Sequence, residues 1–219
     1  MSEFSLWDIL EALLLSTRLT LELSAVAFIG GGALAIALLL MRKSGVKSIE
    51  VVSRAFGIVF QNTPLLMQMF LAYFGIALFG FDVPAWLAAG AALILWSAAY
   101  LAEIWRGCVD AVSRGQWEAS ASLAMSYTQQ MRFVILPQAV RLAVAPTVGF
   151  SVQIVKSTAI ASIVGFEELS RTGATIMNAT FEPLTVYTFT AAIYFVICWM
   201  LSRASLILER RAHGAHRSR

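Results

Sequence analysis

The sequence predicts an all-α integral membrane protein with five membrane-spanning helices and one water-facing helix between the third and the fourth. Three observations carry this reading. Hydrophobic residues make up 59% of the chain and charged residues only 13%, with a mean hydropathy of +0.76, which excludes an ordinary soluble globule. The apolar residues come in runs of about 20, enough to cross a bilayer at about 1.5 Å per helical residue. The basic residues gather between those runs, so a pI near 9.1 reflects membrane topology and not a nucleic-acid surface.

Residues 1–18 lack a basic leading region and carry Glu3, Asp8 and Glu11, so they do not resemble a cleavable signal peptide. Phe4, Leu6, Trp7, Leu10 and Leu14 among those acids predict an amphipathic segment lying on the outer membrane face. A transmembrane domain is expected over 19–206. Its first span, 19–41, holds Gly30-Gly31-Gly32, poor for an isolated helix but suited to close helix packing in lipid. A basic loop follows, with Arg42, Lys43, Lys47 and Arg54. The second span, 55–79, contains Gln61-Asn62-Thr63-Pro64, where the proline removes a backbone hydrogen bond that neighbours must replace. The third span, 84–105, ends in Tyr100, Glu103 and Arg106, and a water-facing loop covers 106–141. The fourth, 142–166, is the most polar, with Gln153, Lys156, Ser157 and Thr158. A polar loop with Glu167, Glu168, Arg171 and Glu182 leads to the fifth span, 184–201, and a basic tail, 207–219.

Five spans place the termini on opposite sides. Thirteen of the sixteen basic residues fall on one side, in the first loop, the central loop and the segment from Arg203 onward. The positive-inside rule then sets the amino terminus outside and the carboxy terminus in the cytoplasm, with the central loop.

Within that loop the stretch Gly115–Pro137 stands out. Trp117 to Met125 is rich in Ala, Ser, Glu, Leu and Met, which favours a short helix with small side chains that another protein can approach closely. Ser113 and Gly115 are the expected helix start, Glu118 falls in the first turn, and Pro137 is expected to end the second half. Glu118-Ala119-Ser120, then Ala124, then Ile135-Leu136-Pro137 resemble the EAA loop of ABC-transporter permease subunits. Two positions depart from that pattern: Ser120 stands for its third alanine and Ala124 for its glycine. In that family the loop folds as a cytoplasmic coupling helix that docks into the ATPase subunit. The resemblance therefore implies a coupling surface of Gly115, Glu118, Ala119, Ser120, Ala124, Leu136 and Pro137.

Further stretches are similar to the polar-amino-acid branch of these permeases, the histidine, glutamine and arginine type. They are Asn62-Thr63-Pro64-Leu65-Leu66, the run Ala99–Gly107, Gly115-Gln116, Leu136-Pro137-Gln138-Ala139, Lys156-Ser157-Thr158-Ala159-Ile160 and Ala191-Ala192-Ile193-Tyr194. One departure is Gln61-Asn62, where the branch usually has Arg-Gly. The resemblance implies the transmembrane domain of a type I ABC importer in a bacterial inner membrane. It also implies two cytoplasmic ATPase subunits carrying ATP and Mg, a second permease copy or paralogue, an extracytoplasmic binding protein and a polar amino acid as substrate.

Lys156 is the residue that physics singles out, since a charge at mid-span costs on the order of 2.5–3.5 kcal/mol and usually faces a bundle interior or aqueous path. Gly149, Gln153, Lys156 and Ser157 recur at helical spacing, a small and polar face. The candidate substrate path is Gln61, Thr63, Tyr100, Glu103, Gln153, Lys156, Ser157 and Thr158. Structural readings stand beside it: Lys156 as half of an interhelical pair, Glu103 as an interfacial acid beside Arg106, and Gln61 and Gln68 as interhelical hydrogen-bonders. Glu167 and Glu168 are expected at the outer mouth, either meeting a delivery protein or the substrate or simply solvated.

No phosphate loop of the form GxxxxGK[ST] occurs, so ATP would be held by a partner. Both histidines, His213 and His216, fall in the Arg-rich tail, Cys108 and Cys198 lie far apart, and no catalytic or metal-ligating set appears. An enzyme is disfavoured. The alternative to a permease is a membrane scaffold or passive channel not coupled to ATP.

Overall fold

A computed structural model describes the backbone of residues 5–217 and the side chains of residues 5–210; the side chains of Glu3, Phe4, Arg211, His213, His216, Arg217 and Arg219 lie outside the described residues. Among the described residues every regular element is helical, as expected. Among the described residues four helices are long and apolar enough to cross a bilayer, and a bent pair is together long and apolar enough for a fifth.

In place of a surface segment over 1–18 and a span from 19, α1 is one helix, Leu6–Arg42. Its 37 residues reach about 55 Å, beyond the roughly 30 Å hydrocarbon layer. The acids that suggested a separate segment do not interrupt it. Asp8 forms a reciprocal capping box with Ser5, and Glu22 pairs with Arg18 one turn away at 2.6 Å on an exposed face.

The second crossing is sharply broken. α2 spans Lys47–Asn62 and thus absorbs most of the expected basic loop, while α3 spans Leu65–Phe70 and runs on through a π turn, Leu71–Gly75. The two halves meet at 103° across Thr63-Pro64. Gln68 satisfies the carbonyls exposed by that break, and two further side chains back-bond to carbonyls within α2. Asn62 Nδ2 donates to Ile58 O and Thr63 Oγ1 to Val59 O, while Gln68 Nε2 reaches both Phe60 O and Thr63 O at 3.0 and 2.9 Å. Gln61 and Gln68 therefore do not share a helix face.

α4 spans Ala85–Asp110, five residues longer at its end than expected. It runs parallel to α1, with Leu23 near Gly90 at one end and Arg42 bonded to Glu103 at the other. The close approach depends on Gly31, where a Cβ would stand 2.6 Å from the Cβ of Ser97.

α5 covers Arg114–Ser122 in the central loop. α6, Tyr127–Gln129, then continues through a π turn, Gln130–Ile135, into α7, Leu136–Ser157, and a 3₁₀ turn, Thr158–Val164. Pro137 does not end this helix. The amide of Leu136 bonds back to Met131 O, five residues away, so the bonding register changes where the proline lacks a donor.

The polar loop after the fourth crossing contains α8, Leu169–Thr180, an amphipathic helix. α9, Pro183–Arg217, carries the last crossing and continues helically into the basic tail. α7 runs antiparallel to both neighbours, with Thr147 against Trp105 of α4 and Ala145 O accepting from Ser205 of α9. The ends holding Arg42, Arg106, Arg141 and Arg203 consequently gather at one end of the bundle.

Candidate functional site

α5 stands at the basic end, joined to α4 by only Ala111–Ser113. Ser113 is its N-cap by backbone conformation, without a side-chain cap bond. Trp117 holds the helix down against an apolar cluster of Val109, Val112, Ile135 and Ala139, and stacks on Tyr127 at 6.3 Å. Ser120 is buried beneath the helix, its hydroxyl donating to Trp117 O at 2.9 Å. Gln138 of α7 donates to Gln116 Oε1 at 3.2 Å. Gly115, Glu118 and Ala119 remain exposed. Leu136 and Pro137 lie on α7 instead, also exposed.

The end of α5 explains the position where the sequence departs from the family's glycine. Ala124 has φ +54, its amide bonds to Ala121 O, and the amide of Met125 bonds to Ser120 O. This is a Schellman motif with alanine at its left-handed position, which a Cβ disfavours. The swap of Ala for Gly is therefore not neutral for the backbone, although both residues are small.

The candidate path residues fall into separate places. Gln153 and Lys156 are exposed on the open face of α7, in line with Gly149, while Ser157 is half-buried and Thr158 is buried with its hydroxyl on Val155 O. Tyr100 belongs to an aromatic group, stacked on Phe150 at 5.6 Å and 5.0 Å from Trp96. Thr63 is spent on the break in the second crossing. Gln61 donates to Ala99 O at 2.9 Å and so ties α2 to α4.

Glu103 pairs with Arg42 at 2.6 Å and with Arg106, rather than with Lys156. Asp110 bonds Lys43 at 3.1 Å and also Arg106. The network bolts the end of α1 to the end of α4, three residues before the cap of α5.

Sequence reasoning missed Glu168. It was expected at the outer mouth, meeting a partner or solvated; it is 0% exposed. Its Oε1 accepts from the amide of Arg171 at 2.8 Å, capping α8, and its Oε2 accepts from Tyr194 Oη of α9 at 2.7 Å. Ser170 Oγ lies 3.0 Å from the same phenol, and the amide of Leu169 donates to Thr20 of α1 at 3.0 Å. Burial pushes the Glu168 carboxyl above its ordinary range, opposed by these hydrogen bonds. The sequence signal was the apolar and small period Leu169, Gly173, Ile176 starting just after an acid, the pattern of a capped amphipathic helix.

Comparison with known proteins follows the same architecture. Residues 31–214 match the family described as binding-protein-dependent transport system inner membrane component. The probable amino-acid ABC transporter permease protein YckA of Bacillus subtilis is 33% identical over 192 residues, covering 88% of this chain and 85% of its own. The nopaline transport system permease protein NocM of Agrobacterium fabrum is 37% identical over 211 residues, covering 90% and 86%. Among solved structures, an amino acid ABC transporter crystallised with histidines matches with a TM-score of 0.89 at 35% identity, over 92% of this chain and 94% of that one. The inward-facing MetNI methionine ABC transporter shares the fold, with a TM-score of 0.72 at 18% identity over 97% and 99% of the two chains.

Proposed function

The chain belongs to the family of binding-protein-dependent transport system inner membrane components and is an ABC transporter permease subunit, and on that basis we propose how it works and what it carries. It forms, with a second permease copy or paralogue, the path for a polar amino acid delivered by an extracytoplasmic binding protein. Two cytoplasmic ATPase subunits bind ATP and Mg and drive the change between outward- and inward-facing states. The amino terminus is outside and the carboxy terminus in the cytoplasm, as the basic ends of the helices indicate.

The observation that carries this reading is the exposed surface of α5. Gly115, Glu118 and Ala119 face outward from a helix that Trp117 packs against the ends of α4 and α7 and that Gln116 ties to Gln138 of α7. A force applied there moves two crossings as one body, and Glu118 transmits it without chemistry. The open polar face of Gly149, Gln153 and Lys156 supports the second part of the proposal. Such a face is costly in lipid, and a second permease across a water-filled path would remove that cost. Amino-acid transport is supported by the names of a relative at 33% identity and of a solved structure at 35%.

The test is extraction from native membranes in mild detergent, with Glu118→Arg as the paired variant. Co-purification of an ABC ATPase that the variant loses is the expected result. A stable preparation with no ATPase from either protein contradicts the coupling role and favours a scaffold or passive channel.

A further inference from the structure

A cavity of about 640 Å³ opens between the basic ends of α1, α2 and α4. Four cations line it, Arg42, Lys43, Arg54 and Arg106, against two carboxylates, Glu103 and Asp110. The carboxylates are already engaged by Arg42, Lys43 and Arg106, and Arg54 reaches only Glu50, at 3.5 Å. The wall thus keeps an excess of positive charge.

Two details point to an occupant. Arg42 spends Nη1 on Glu103, which leaves Nη2 as the edge of its guanidinium nearest Gly57. There Gly57 leaves the space open: a Cβ would meet only Arg42 Nη2, at 3.6 Å. The rim is apolar on one side, with Leu39 and the exposed Ile58. A surplus of cations, an open space beside a guanidinium and an apolar rim, at the level where a span meets water, suit a phosphate attached to acyl chains.

We propose that this cavity binds the headgroup of an anionic phospholipid, with Arg42 Nη2 and Arg54 supplying the donors to its phosphate. The inference needs only that α1, α2 and α4 sit in a bilayer, so it does not rest on the transport reading. A free amino acid is a poorer fit, because the carboxylates that would hold its ammonium are already paired.

The test uses the intact purified transporter in nanodiscs of phosphatidylcholine, alone or with phosphatidylglycerol. Thermal midpoint and lipid retained after detergent exchange, counted by native mass spectrometry, are the readouts. Phosphatidylglycerol is expected to raise the midpoint and to stay bound. Arg54→Gln, on an exposed side chain outside the paired network, should weaken retention about fivefold, the worth of one basic group near a bilayer. Gly57→Phe, which fills the cavity, should abolish it while the midpoint in phosphatidylcholine reports folding; Arg54→Gln decides alone if that variant does not fold. Equal retention by wild type and a folded variant overturns the proposal. So does an equal midpoint rise from inorganic phosphate in phosphatidylcholine discs.

Discussion

Tyr194 donates a 2.7 Å hydrogen bond to Glu168, a carboxyl with no accessible surface and no ion pair among the described residues. The bond joins α9 to the cap of α8, and α8 is tied to α1 through Thr20. Three elements at the end of the bundle opposite Arg42 and Arg106 therefore meet around Glu168 and Leu169.

Because burial raises the Glu168 carboxyl above its ordinary value of 4.5, the stability linked to it is fully present below that value and is lost as pH rises toward the raised one. Thermal midpoints of wild type and Glu168→Gln, measured from pH 4.5 upward, should diverge, the wild type falling relative to a variant that cannot ionise. Parallel curves would refute this. Tyr194→Phe should cost about 1.5–3 kcal/mol, the worth of a hydrogen bond to a charged group.

Ala124 adopts φ +54 at the end of α5. Ala124→Gly should stabilise the protein by about 1 kcal/mol, because glycine carries no Cβ penalty in the left-handed region. A denaturant or thermal melt in detergent measures it; a destabilised variant would mean that chain entropy outweighs the relieved strain.

Gln68 closes the break in the second crossing with bonds to Phe60 O and Thr63 O. Gln68→Leu keeps the volume and removes both donors, and should cost about 2 kcal/mol or more for the carbonyls left unpaired. Pro64→Ala, which leaves both donors in place, should cost less. The reverse order would mean that the proline, not the glutamine, holds the bend.

Lys156 is exposed on the face of α7 proposed to line the path. Lys156→Ala should assemble normally and change the apparent substrate affinity or the rate of uptake. Unchanged transport would make the lysine a structural residue.

The membrane class, the glycine packing of α1 and the small-residue helix of the central loop were legible because composition and period encode them directly. Other features were hidden by how polar groups are satisfied. The acids among the first 18 residues suggested a surface segment separate from the span, because the sequence does not show that Asp8 is spent on a cap. Pro64 and Pro137 look alike in sequence, yet one sits at a 103° bend and the other in a continuous helix. The difference lies in Gln68 and Thr63 at the first and a π turn at the second. Glu103 and Gln61, candidates for the path, have their polar atoms engaged by Arg42, Arg106 and Ala99, contacts 38 or 61 residues distant in two of the three cases. Glu168 was illegible for the same reason, since its partner Tyr194 is 26 residues away.

The central claim is that α5 couples an ATPase to movement of the spans, and uptake into proteoliposomes tests it most directly. The complex should be reconstituted with its binding protein, with ATP inside and polar amino acids outside. The account predicts ATP-dependent accumulation of an amino acid, lost in Glu118→Arg although that variant inserts normally. Accumulation that is independent of ATP, or undiminished in Glu118→Arg, would contradict it.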